Sequence, residues 1–204
     1  MLSGLAVAIA LVTAVLNISR QMQVEVDQKL SMYGPNIIII PESLDLALSF
    51  GGIPVTRVSS EPINLQETDA DLISSIRLKE RIRGISPKLI EIADIQGQKR
   101  IVVGVRFRDE LKMRPWWRLQ GEIPRYSRDL ILGNDLAKEL EKSFGDYLTL
   151  KGQNFRVVGI LDKQMSQEDQ LIFADLREFG LLFQDAGKVT LIEVAGWCSA
   201  CPVE

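Results

Sequence analysis

The chain opens with an apolar run that carries no charge. Residues 1–18 are MLSGLAVAIALVTAVLNI, and the first charged side chain is Arg20. An uncharged segment of this kind suits hydrocarbon better than water, and as a helix it would span about 27 Å of a bilayer core that is ~30 Å thick. The pattern therefore predicts a membrane helix over residues 1–18, with a signal peptide as the alternative.

Apolar residues then recur every three or four positions, and polar residues fill the gaps. This spacing predicts that the helix continues outward as a stalk as far as residue 33, because Gly34-Pro35 cannot continue it. We expect the apolar stripe to pack against a partner helix or against the chain's own domain. The stripe consists of Ile18, Met22, Val26, Leu30 and Tyr33.

After the stalk, patterns typical of strands and of helices alternate. The isoleucines Ile37–Ile40 lie between two prolines and predict a short buried strand, whereas residues 41–62 are rich in glycine, proline and serine and predict a loop. Thr68 predicts the N-cap of a helix that has its acids first and its bases last, at residues 79–83. Gly84 and Pro87 are expected to close that helix.

The second half of the chain predicts two hairpins, two further strands and two helices. The first hairpin has strands at residues 89–95 and 100–107 and its turn at Gly97-Gln98. The second has strands at residues 147–151 and 155–161 and its turn at residues 152–154. The strands are 129–132 and 189–195, and the helices are 136–144, with Asn134 as its cap, and 175–184. Helices and strands are thus interleaved, which predicts one mixed α/β (α+β) domain over residues 34–196.

Composition and charge narrow the function. The 204 residues include 24 basic and 27 acidic side chains, for a net charge of −3. The sequence therefore lacks the excess of basic residues that is typical of nucleic-acid-binding domains. The chain has no histidine, which removes the commonest general base near neutral pH and the commonest nitrogen ligand for metals. These features argue against nucleic-acid binding and against much of enzyme chemistry.

Several segments, in their order along the chain, resemble one known family. YGPNIIIIP at residues 33–41 resembles its first strand, and VVGVRF at 102–107 and WWRLQGEIP at 116–124 are similar to its Gly-Val strand and tryptophan-glycine turn. Residues 129–161, DLILGNDLAKELEKSFGDYLTLKGQNFRVVGIL, are similar to the strands and helix that follow. The chain thus resembles ABC-transporter permeases of the MacB/LolC/FtsX group, from the first membrane helix through the periplasmic core domain.

The resemblance implies a permease subunit without catalytic residues, located in the inner or plasma membrane with everything after about residue 18 outside the cytoplasm. It implies an ABC ATP-binding subunit and a second permease copy as partners, with ATP bound by the partner and no cofactor bound by this chain. ATP hydrolysis would then drive export or mechanotransmission. No Walker-type glycine-lysine loop is present in the sequence.

Two tryptophans follow Pro115. Trp116 and Trp117 form a candidate surface for a hydrophobic cargo or partner, but paired aromatic residues in a domain with few others also suit core packing.

The tail, residues 197–204, holds both cysteines of the chain. Cys198 and Cys201 form a Cys-x-x-Cys pair after Trp197, which resembles a thioredoxin active site, although the upstream residues do not read as a thioredoxin domain. A local disulfide and a metal or cofactor site are the other interpretations, and two thiolates would need carboxylates such as Glu193 or Glu204 to complete a metal site. The tail is also the expected connection to further membrane helices.

Three functional hypotheses follow from the sequence. The first is the permease subunit described above. The second is a membrane-anchored thiol-disulfide oxidoreductase that uses Cys198 and Cys201. The third is an anchored binding module that captures a ligand without any ATPase.

Overall fold

The computed structural model describes residue 4 and residues 9–22, 34–41, 49–50, 53–54 and 65–196. Residues 9–22 form a helix, α1, whose side chains are all exposed. Within the described part of the chain, no helix combines the length and the apolar character needed to cross a membrane. The predicted membrane helix extends beyond the described residues at its start, as does the predicted stalk at its end.

Residues Pro35–Gly196 form one compact unit. Its helices are α2 (Glu67–Ile73), α3 (Phe107–Met113), α4 (Asn134–Glu139) and α5 (Leu176–Leu182), with 3₁₀ helices at Lys79–Arg81 and Gln167–Gln170. Its strands are β1 (Ile37–Ile39), β2 (Ser49–Phe50), β3 (Ile53–Pro54), β4 (Leu65–Gln66), β5 (Ile82–Ile95), β6 (Gln98–Val105), β7 (Leu119–Gly121), β8 (Asp129–Leu132), β9 (Tyr147–Leu150), β10 (Gln153–Leu161), β11 (Ile172–Asp175), β12 (Lys188–Val189) and β13 (Leu191–Gly196).

Nine of the described strands form a single sheet in the order β1-β13-β5-β6-β11-β8-β10-β7, with β9 also paired to β10. The pairs β6–β11 and β8–β10 are parallel and the other pairs are antiparallel. The small pairs β2–β3 and β4–β12 lie outside this sheet. The predicted mixed α/β class is therefore confirmed.

The sheet buries apolar side chains on both faces, because successive residues of a strand point to opposite sides. On one face, Leu130 and Leu132 of β8 join a cluster that includes Leu136 of α4 and Phe179 of α5. On the other face, the intervening Ile131 joins a cluster that includes Phe107 of α3. The two faces are thus covered by different helices, and the central strands read as continuous apolar runs.

The first predicted strand forms, but its predicted burial is wrong. In β1 the side chains of Ile37 and Ile38 are 52% and 43% exposed. The reason is position: among the described strands, β1 lies at the edge of the sheet and pairs only with β13. The four isoleucines reflect the β propensity of branched side chains rather than a central place in the core.

The predicted helix at residues 68–83 is corrected in three respects. Its N-cap is Gln66 rather than Thr68, and the backbone N–H of Gln66 donates to the Asp69 carboxylate at 2.8 Å. It ends at Ile73, so the bases of residues 79–83 lie beyond it. Gly84 and Pro87 belong to the long strand β5 rather than to a helix end.

The C-terminal half follows the predictions with shifted boundaries. Both hairpins form, but the second turns at Lys151-Gly152, and Phe107 begins α3, a helix that the pattern did not predict. The helix predicted at residues 136–144 is α4, which ends at Glu139, and its N-cap is Gly133 rather than Asn134. The predicted last strand is split into β12 and β13, and residues 49–50 and 53–54 pair as strands within the predicted loop.

We expect Gly133→Ala to destabilise the fold by about 3 kcal/mol, because overpacking against rigid atoms is costly. A Cβ at this position would lie 2.2 Å from the carbonyl oxygen of Glu168 and 2.5 Å from that of Asp169, which are backbone atoms that cannot move aside alone. Urea unfolding of the full chain measures the change. Gly196→Ala is the control, because a Cβ there would have its nearest neighbour at 3.6 Å, an ordinary contact, and the backbone φ of Gly196 is not positive. Equal midpoints for both variants would contradict the packing at Gly133.

Candidate functional site

The chain enters and leaves the compact unit at the same place. β1 runs antiparallel to β13, with Ile37 opposite Val194, which brings Asn36 opposite Ala195 and within reach of the next residue, Gly196. The Asn36 side chain joins them: its Oδ1 accepts from the Gly196 N–H at 2.9 Å, and its amide donates to the Gly196 carbonyl at 3.3 Å. The backbone N–H of Asn36 also donates to the Val194 carbonyl at 3.2 Å. We call this contact the terminal clasp.

Close to the clasp, the sheet carries a buried cluster of charged side chains. Lys88 Nζ lies 2.9 Å from Glu110 Oε1 and 3.0 Å from Glu193 Oε2. Arg114 pairs with Glu110, with Glu193 at 2.9 Å and with Glu168 at 2.8 Å. Four of the five residues are buried, and the exception, Glu168, is half-buried. We call these five residues the ion network.

Four elements bring the ion network together, and Glu168 comes from the 3₁₀ helix Gln167–Gln170. Lys88 on β5 lies opposite Leu191 on β13, and Glu193 lies opposite Ser86, so these side chains share one face of the sheet. Glu110 and Arg114 lie four residues apart at the end of α3 and therefore project from the same side of that helix. The network thus fastens α3 to the two strands.

The charges of the network stabilise one another. Burial disfavours the ionised form of Glu110, but the attraction of Lys88 and Arg114, with hydrogen bonds from Lys88 and Ser86, outweighs it and lowers the pKa of Glu110. Burial likewise opposes the charge of Arg114, but three carboxylates raise the pKa of Arg114 above its ordinary value. Both groups are therefore charged at neutral pH.

Trp117 connects the ion network to the apolar core. Its Nε1 donates to Glu168 Oε2 at 2.9 Å, and its ring stacks edge-on against Phe173 with centroids 4.8 Å apart. A cavity of about 380 Å³ opens beside it, with Phe173 and Leu191 among its apolar walls and Arg114 and Glu168 among its polar ones. An arrangement of this kind can hold a side chain or small molecule that has an apolar body and a polar tip.

Only some of the sequence-predicted site residues lie in the described part of the chain. Trp117 is 7% exposed and belongs to the core, so the hypothesis that it forms a surface for a cargo or partner is wrong. Trp116 is half-buried. In the predicted stripe, Ile18 and Met22 lie on α1 and are exposed, whereas Val26, Leu30 and Tyr33 lie outside the described residues. Cys198, Cys201 and Glu204 also lie outside them.

Among residues 65–196 and the shorter described segments, no group of three or more His, Cys, Asp or Glu side chains is arranged to hold a metal ion. Glu193, considered from the sequence as a metal ligand, is instead bound by Lys88 and Arg114. The carboxylates of the network face cations of the protein itself.

Sequence reasoning did not find the ion network. One signal was available, because Lys88 and Glu193 are single charges inside otherwise apolar strand segments, SPKLI and LIEVA. A charge in such a segment is expected to need a buried partner. The partners on α3 gave no signal, since that helix was not predicted.

Comparison with known proteins identifies the type of domain. The family model for the MacB-like periplasmic core domain matches residues 1–195. Among solved structures, the periplasmic region of MacB from Actinobacillus actinomycetemcomitans is 13% identical, with a TM-score of 0.56 over 81% of this chain and 75% of that chain. The extracellular domain of the noncanonic ABC-type transporter YknZ from Gram-positive bacteria is 12% identical, with a TM-score of 0.55 over 68% of this chain and 76% of that chain. No curated protein matches the chain significantly.

We expect Glu110→Gln to lower the free energy of unfolding by about 3–5 kcal/mol, because it leaves the buried Lys88 and Arg114 without a shared carboxylate. Urea unfolding at pH 7 measures the loss. Glu139→Gln is the matched control, because Glu139 is partly exposed and pairs with Arg100 near the surface, where such pairs contribute less than about 1 kcal/mol. A loss as small as that of the control would contradict the role given to the network.

The same variant has a predicted effect on the pH dependence of stability. The pKa of Glu110 in the folded chain lies below its ordinary value of 4.5, so the unfolded chain binds more protons. The stabilisation from Glu110 is therefore complete above about pH 4.5 and is lost as the pH falls through the folded-state pKa. In Glu110→Gln the free energy of unfolding should therefore fall less steeply as the pH drops below about 4.5 than it does in the wild-type chain. An unchanged pH dependence would contradict the lowered pKa.

Proposed function

Because the chain belongs to the MacB-like periplasmic core domain family, we propose that it forms the extracytoplasmic part of an ABC-transporter permease and transmits movement. ATP is hydrolysed by a separate cytoplasmic subunit, and the chain contributes no catalytic step of its own. The movement produced by that subunit reaches this domain through membrane helices.

The terminal clasp is the observation that carries the proposal. A domain that is moved by helices needs both of its connections to arrive at one place, so that displacement of the helices displaces the whole domain. Asn36 and Gly196 meet at one edge of the sheet, and their hydrogen bonds tie the two connections together. This arrangement suits a domain inserted between a preceding and a following membrane helix.

The apolar start of the chain supports a membrane anchor on the first connection. The exposed side chains of α1 include Leu11, Val12, Val15 and Leu16, and no charge interrupts residues 9–18. Such a surface is stable in lipid or against other apolar helices. We propose that residues 1–18 lie in the inner or plasma membrane and that the tail after Gly196 leads to further membrane helices. The stalk stripe then packs against a second permease copy.

We expect an ATP-binding subunit to co-purify with the full-length protein from native membranes, and ATPase activity to accompany it. The protein carries an affinity tag, and the eluted complex is assayed for nucleotide hydrolysis. An unrelated tagged membrane protein from the same cells is the control for background ATPases. Replacing the Walker lysine of the co-purified subunit must abolish the activity. Repeated purification from intact membranes without such a subunit would contradict the proposal.

We expect Asn36→Ala to loosen the terminal clasp without unfolding the domain. Amide hydrogen exchange of the full chain should become faster in β1 and at the end of β13, because the Gly196 N–H loses its acceptor. Exchange in β6 and β11, at the centre of the sheet, should not change. Asn154→Ala is the control, because Asn154 accepts from Thr149 within an exposed hairpin. Unchanged exchange at both β1 and β13 would remove the clasp from the mechanism.

A further inference from the structure

A second cavity, of about 450 Å³, carries an excess of positive charge. It lies where the loop before β8 meets the N-terminal turns of α3 and α5. Arginines from three separate segments line it, and the hydroxyl-bearing residues Tyr126 and Ser127 lie beside them. The arginines are Arg106, Arg108, Arg125 and Arg177.

The two carboxylates of the cavity are already occupied. Glu67 accepts from Arg106 Nε at 2.7 Å. Asp175 caps α5, because its Oδ1 accepts from the backbone N–H groups of Arg177 and Glu178, each at 3.1 Å. Arg106 is therefore neutralised by the protein, and Asp175 is held at the helix start.

The other three guanidinium groups have no such partner. Within the part of the chain that the structure describes, the side chains of Arg108, Arg125 and Arg177 make no ion pair or hydrogen bond. All three are exposed. Arg106 also lies 3.3 Å from Asp71 and 4.0 Å from Asp109, so the guanidinium groups left to meet an anion are those of Arg108, Arg125 and Arg177. Guanidinium groups without a carboxylate partner are free to form charge-assisted hydrogen bonds with an anion.

We propose that this cavity binds a phosphate monoester of a small organic molecule. Guanidinium groups match the oxygens of phosphate in geometry, and a monoester offers three such oxygens to the side chains of Arg108, Arg125 and Arg177. The cavity is larger than a single phosphate group, and Phe107 and Pro124 add apolar surface to its lining for the organic part. The site is independent of the proposed function, since it does not involve the terminal clasp or the ATP-binding subunit.

Two sources can supply this chemistry, a soluble phosphate ester and a phospholipid with a terminal phosphate. The first arm titrates glycerol 1-phosphate into the full chain in detergent by calorimetry at low salt, with glycerol as the neutral match. The second arm adds phosphatidic acid or phosphatidylcholine and detects retained lipid by native mass spectrometry. Binding in the first arm identifies a soluble ester, and selective retention of phosphatidic acid alone identifies a lipid.

The double variant R108Q/R177Q tests whether the cavity is responsible. We expect it to weaken binding at least about tenfold, the loss of one or more charge-assisted hydrogen bonds, and R125Q to weaken it in the same direction. Arg118→Gln is the control, because Arg118 is exposed but does not line the cavity. All substituted residues are exposed, so the variants are expected to fold, and thermal unfolding verifies this.

Two results would overturn the proposal. One is that the wild-type chain binds neither glycerol 1-phosphate nor phosphatidic acid. Another is that R108Q/R177Q binds as tightly as R118Q, which would move the site elsewhere. If neither phosphate compound binds, arginine-dependent binding of an acidic peptide would assign the cavity to a protein partner.

Discussion

The rest of the compact unit depends on the pairing of Lys88 and Arg114 with Glu110 and Glu193 in the interior of the fold. Ions removed from water are stable there only when each keeps its partners, so the network allows few alternative arrangements of β5, β13 and α3. A shift of β13 by one residue would move Glu193 to the opposite face, among apolar side chains, and put Ile192 against Lys88. The network therefore specifies register as well as holding the helix.

This constraint reaches the edge of the sheet through β13. Glu193 is fixed by Lys88 and Arg114, and Gly196, three residues later, takes part in the terminal clasp. The strand that leaves the domain is thus anchored by the charges on one face of the sheet and by its pairing with β1 along one edge. In a permease domain, displacement applied at the clasp would pass directly to α3 through Arg114 without needing the outer strands β7 and β9.

The sequence predicted elements where local signals decide the structure and failed where tertiary contacts decide it. The turn at Gly97 and the strand at residues 129–132 were predictable, because turn chemistry and a continuous apolar run act locally. The burial of Ile37–Ile40 was not, since propensity does not say whether a strand lies at an edge. Trp117 was ambiguous for the same reason, because its burial depends on Phe173 and Glu168, which lie far away in sequence.

The antiparallel pairing of β1 with β13 makes the mechanical response of the domain depend on direction. If the two connections move together, no hydrogen bond between the strands is loaded and the sheet moves as a rigid body. If they are pulled apart, the bonds of Asn36 break first and β1 peels from β13 one pair at a time, from Ile37 to Ile39. Peeling needs far less force than shearing all the pairs at once. The domain would therefore follow a concerted movement of its two connections and yield locally, at β1 alone, when they separate.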